Sequence, residues 1–68
     1  MQAWFGEPVS AGSRAAVEYW AILSSHGKEV TLVGTTVLRF TSDGLVQEHR
    51  EYWSLEDGGR SPHEGWGR

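Results

Sequence analysis

The chain has 68 residues and a mass of 7.6 kDa, is 38% apolar and 12% aromatic, carries a net charge of −3, and contains no Cys. That length allows one small domain, and without thiols neither disulfides nor thiolate zinc sites can brace it. Six Lys and Arg, scattered singly, form no stripe that would neutralise phosphates, which argues against nucleic acid as the main partner.

No segment approaches the roughly 18 apolar residues of a membrane span. The opening Met1-Gln2-Ala3-Trp4-Phe5-Gly6-Glu7 lacks the charged region and long apolar run of a signal peptide. A cytoplasmic setting with no membrane partner is therefore expected.

Four breakers punctuate the chain: Ser10-Ala11-Gly12-Ser13, Ser24-Ser25-His26-Gly27-Lys28, Thr41-Ser42-Asp43-Gly44 and Glu56-Asp57-Gly58-Gly59. Between them lie residues 3–9, 14–23, 29–40 and 45–54. Regular runs joined by Gly-bearing loops predict a four-stranded antiparallel meander over 1–55.

The second segment carries helix formers after a Ser13 that could cap them. Its odd positions Ala15, Val17, Tyr19, Ala21 and Leu23 nevertheless form an apolar face with a period of two, which favours a strand. Val30 to Phe40 is the clearest strand, rich in β-branched residues, and Asp43-Gly44 reads as a hairpin turn. Residues 56–68 form a Gly-rich tail. It is either a frayed end, the usual fate of termini that nothing ties down, or a segment that folds Trp66 back over an open end of the sheet.

Loop lengths give an expected register. A four-residue loop at 41–44 pairs Phe40 with Leu45, Thr36 with His49, Gly34 with Glu51 and Leu32 with Trp53. A loop at 24–28 pairs Leu23 with Glu29, Trp20 with Leu32 and Glu18 with Gly34. Glu18 and Glu51 would then flank Gly34 on one face, across two strand spacings of about 4.8 Å each. Paired carboxylates on an apolar face suggest acid/base work, with His49 two residues away as a partner. The candidate catalytic residues are Glu51, Glu18 and His49. The candidate ligand-binding residues are Trp20, Leu32, Thr36, Leu38, Phe40 and Trp53, suited to a small hydrophobic ligand. Glu18, His49 and Glu51 lack the second His of a two-His-one-carboxylate triad, so neither metal nor cofactor is expected.

The segments Trp4-Phe5-Gly6-Glu7-Pro8, Arg14-Ala15-Ala16-Val17-Glu18-Tyr19-Trp20, Thr31-Leu32-Val33-Gly34 and Val37-Leu38-Arg39-Phe40 lead in order into Asp43-Gly44-Leu45-Val46-Gln47-Glu48-His49-Arg50-Glu51-Tyr52-Trp53. Together they resemble the C-terminal half of SnoaL-like proteins, in the nuclear transport factor 2-like superfamily. The resemblance implies a mainly β fold, half of an α+β cone, whose curved sheet lines a small-molecule pocket but lacks the family's N-terminal helices. It implies either a non-catalytic binding or assembly module, or an isomerase, cyclase or hydrolase with Glu51 as general base. The acid in the final strand of the family's epoxide hydrolases matches Glu51, and their second acid matches Glu18. Their intervening arginine falls at Ala16 and is missing.

An apolar sheet face without a cover predicts self-association as a homodimer or larger assembly. Two surfaces are candidates: one with Val17, Tyr19 and Leu23, the other with Trp20 and Trp53.

Overall fold

In the computed structural model, which describes residues 1–68, the chain forms five strands and no helix. They are β1 (Gln2–Phe5), β2 (Val9–Ala11), β3 (Arg14–Ser25), β4 (Lys28–Phe40) and β5 (Val46–Asp57). All pairings are antiparallel, in the order β1-β3-β4-β5, and β2 pairs with β3. With no helix present, none is long and apolar enough to cross a membrane.

The two long hairpins follow from their turns. His26 and Gly27 both adopt positive φ, 53° and 78°, as a two-residue type I′ turn requires. Ser25 therefore pairs with Lys28, and the ladder runs on through Trp20↔Val33 and Tyr19↔Gly34 to Arg14↔Arg39. The second hairpin closes where Thr41 N–H donates to the Leu45 carbonyl at 2.7 Å, with Gly44 at φ 86°. That leaves three residues in the loop, which alone would flip every side chain of β5 to the other face. A bulge opposite Arg39/Phe40 restores the parity, giving Leu38↔His49, Thr36↔Glu51 and Gly34↔Trp53.

The expected four-stranded, curved half-cone is corrected on both counts. Residues 3–9 do not form one strand, because Pro8 offers no N–H to a ladder and Gly6 lies against Gly67. A Cβ on Gly6 would come within 2.9 Å of the Gly67 Cα. The chain jogs there, and β1 and β2 sit end to end along the same edge of β3. The sheet also neither curls nor closes. It is one layer of 44 × 26 × 16 Å, and its one register shift lies at the far end of β4. Bending a sheet into a cone takes bulges or glycine kinks within its span, and the mid-strand glycine, Gly34, keeps regular pairing on both sides.

The Gly-rich tail is tied down. Gly58, at φ 87°, turns the chain back, and its N–H donates to the Glu29 carbonyl at 2.9 Å. Thr31 Oγ1 donates to the Gly58 carbonyl at 2.7 Å and accepts from Arg60 N–H at 2.9 Å. The Trp20 indole N–H donates to the Arg60 carbonyl at 2.6 Å. The Arg60 guanidinium lies 4.7 Å from the Trp20 ring centre, and Trp66 meets that ring edge-on at 5.7 Å. Trp20 is 3% exposed and Thr31 fully buried, and with Ile22 they form the core on this face, while Val30, the remaining buried apolar side chain, lies beside Leu23 on the other. This tail-covered face holds the even residues of β3 and the odd residues of β4. The opposite face has no cover.

Candidate functional site

The open face is built by alternation along three strands. It carries Val17, Tyr19, Ala21 and Leu23 from β3, Leu32, Gly34, Thr36 and Leu38 from β4, and His49, Glu51, Trp53 and Leu55 from β5. Phe5 of β1 joins them opposite Tyr19. Most of the charged side chains lie on the other face, where Arg39 pairs with Glu48 at 3.3 Å.

Its centre is a polar cluster laid across a glycine. Tyr19 pairs with Gly34, and Gly34 in turn with Trp53. With no side chain at Gly34, the Tyr19 ring lies flat over β4. A Cβ there would fall 2.5 Å from the Tyr19 hydroxyl and 2.7 Å from the Tyr52 carbonyl. The hydroxyl thereby reaches β5 and donates to Glu51 Oε1 at 3.0 Å. The other carboxylate oxygen, Oε2, lies 3.2 Å from His49 Nε2. The Tyr19 hydroxyl is held above its ordinary pKa, first by loss of hydration, then by its hydrogen bond to Glu51 and that residue's negative charge.

Beside this cluster Tyr19, Leu32, Glu51, Trp53 and Leu55 line an open depression of about 300 Å³. Its rim is apolar and wet, with Trp53 63% and Leu55 54% exposed. A second shallow hollow of about 270 Å³ lies along β2, between Val9 and Val37.

The residues singled out from sequence separate into two groups. Glu51, His49, Leu32, Thr36, Leu38 and Trp53 share the open face. Phe40 pairs with Val46 beyond the bulge, away from the depression. Glu18 and Trp20 fall on the opposite face, because the turn after β3 has two residues where five were expected, so the register slips by one. Glu18 opposes Thr35, so the two carboxylates do not converge and Glu18, His49 and Glu51 do not form one ligand set. Trp20 is a core residue beneath the tail.

Tyr19 was missed as the neighbour of Glu51. The signal for it was His26-Gly27, a pair able to supply both positive φ values of a tight turn. That same slip joins Val17, Tyr19 and Leu23 to Leu32, Leu38 and Trp53, so most of the two candidate surfaces merges into one.

No protein-family model matches the chain, and neither a curated protein nor a solved structure matches it. The resemblance to SnoaL-like proteins thus has no support beyond the residues that suggested it, and a sheet that neither curls nor closes removes the curved cone it implied.

Proposed function

We propose that this chain is a non-catalytic interaction module whose working surface is the open face of its sheet. The observation that carries this reading is the contrast between the faces. One is closed by the chain's own tail at Trp20 and Thr31, while the other leaves Phe5, Trp53 and Leu55 more than half exposed beside Leu32 and Leu38. A contiguous apolar patch of that kind on a small domain marks an association surface, and its partner is an apolar protein surface flat enough to lie on a sheet.

The general-base alternative on Glu51 lacks comparable support. The second carboxylate it was expected to work with, Glu18, lies on the opposite face, and Tyr19 and His49 each take up one site on a Glu51 oxygen. The depression beside it is open, and a catalytic constellation needs rigid enclosure to hold its geometry.

Neighbouring exposed aromatics test the reading, since Tyr52 and Trp53 point to opposite faces. An apolar fluorescent dye, added to dilute protein, should bind the wild type and Tyr52→Asp and should bind Trp53→Asp far less. Binding lost in Tyr52→Asp and kept in Trp53→Asp would put the working surface on the wrong face. Absence of dye binding at any concentration would remove the reading.

A further inference from the structure

We infer that the occupant of the open face is a second copy of this chain, packed face to face about a two-fold axis parallel to the strands. The inference rests on the reading above and identifies its partner.

Area is the first argument. The molecule's 44 × 26 Å outline sets an upper limit of about 1,100 Å² on each face, which leaves room for the ~800 Å² per partner of a standard stable interface. A pair of such faces would pack at about 10 Å, as sheets in a sandwich do.

Self-complementarity of shape is the second. On the β1–β3 side one row is low, Ala3 and Ala21, and it continues on the β4–β5 side into the tall Leu32 and Leu55; the next row runs from Phe5 and Tyr19 across Gly34 to Trp53. A two-fold axis along the strands sets the β4–β5 half of each copy over the β1–β3 half of the other at the same height, so Leu55 meets the alanine row in the large-against-small arrangement that fills a core. Leu55 then lies over the row of the partner that holds Ala3 and Ala21, and Trp53 over the row that holds Phe5 and Tyr19.

Charge selects the same axis. Glu51 is the acidic side chain at the middle of the open face, on the edge strand β5. An axis across the strands would stack β5 on β5 and bring the two Glu51 carboxylates toward each other. The axis along the strands carries them to opposite sides of the assembly. Each enters the interface already holding a hydroxyl from Tyr19 and an imidazole from His49, which lowers the cost of removing it from water.

Adjacent threonines and the absence of Cys provide the experiment. Thr36 is on the open face and Thr35 on the other. Thr36→Cys and Thr35→Cys would each carry a single thiol, to be reacted with a maleimide over a range of protein concentrations, alongside sedimentation of the wild type. We expect a dimer at micromolar concentration. Modification of Thr36→Cys should slow about tenfold when nine-tenths of the chains are paired, while that of Thr35→Cys stays constant. Trp53→Asp should weaken the dimer about 30-fold or more, as loss of an aromatic hot spot does, and Ala21→Trp should weaken it similarly by filling the low row that receives the partner's Leu55.

A wild type that stays monomeric while its open face still binds the apolar dye would overturn this inference and leave the interaction-module reading standing. A monomer that binds no dye would overturn both. A dimer that protects Thr35→Cys, or one that tolerates Ala21→Trp, would overturn the geometry. The thiol arms do not depend on Trp53→Asp remaining folded.

Discussion

The Tyr19 hydroxyl crosses the bare backbone of Gly34 to reach Glu51, two strands away, at 3.0 Å. One hydrogen bond thus links β3 to β5 over the top of β4, and a ring covers a glycine that would otherwise leave a gap in the central strand. The pair is partly solvated, so its worth is modest. Tyr19→Phe should cost about 0.5–1 kcal/mol, at the low end for a bond to a carboxylate, read as a lowered denaturant midpoint with an unchanged slope.

Gly34 itself should tolerate far less. Tyr19 can swing away from an added methyl group, but the Tyr52 carbonyl, 2.7 Å from that methyl, is backbone and cannot. Gly34→Ala should destabilise by about 1–3 kcal/mol, as overpacking does. In the Tyr19→Phe background the cost should remain, because the carbonyl is still there.

Two groups set opposite pH edges. The folded state raises the Tyr19 hydroxyl above its ordinary value, mainly through lost hydration and then through Glu51, so it favours the protonated form. Its contribution is complete below the unfolded value of about 10 and is lost as pH rises through the raised value. Asp43 is lowered by the hydrogen bond from the Thr41 hydroxyl and then by its own backbone N–H. Its contribution is complete above the ordinary carboxylate range and fades as pH falls through the lowered value. Chemical denaturation across pH should show Tyr19→Phe flattening only the alkaline limb, and Asp43→Asn only the acid limb.

The tail should behave as part of the fold. Trp66→Ala removes the edge-on partner of Trp20 and should cost about 2 kcal/mol, less than a fully buried Trp. Amide exchange at Arg60, whose N–H is held by Thr31, should quicken in that variant. Unchanged exchange would mean that the backbone bonds alone hold the tail.

Much of the strand pattern was legible in the sequence. The period of two at Ala15, Val17, Tyr19, Ala21 and Leu23 outweighed the helix formers beside it, and Val30 to Phe40 lies within the observed β4. The β4–β5 parity also came out as expected, though through two features that cancel. The three-residue loop after Phe40 flips the strand and the bulge flips it back, so pairs shift by two residues and keep their face. The β3–β4 register was not legible by composition. Ser24 and Ser25 look like loop residues, yet both pair within the ladder, because the I′ turn needs only His26 and Gly27. A slip of one residue moved Glu18 and Trp20 away from Glu51 and brought Tyr19 to it. The tail was the other ambiguity, since nothing in a Gly-rich run shows which groups it will meet. Its anchors are Thr31 and Trp20, remote in sequence.

The merged open face rests on that register, and one NMR contact reads it directly. With Tyr19 opposite Gly34, strong nuclear Overhauser effects should connect the Gly34 α-protons to the Tyr19 ring, and the ring current should move those protons well away from ordinary strand values. Gly34 α-protons that instead meet the backbone of Glu18 as their directly opposed partner, with no Tyr19 ring contact, would return Trp20 and Glu18 to the Glu51 face and contradict the account.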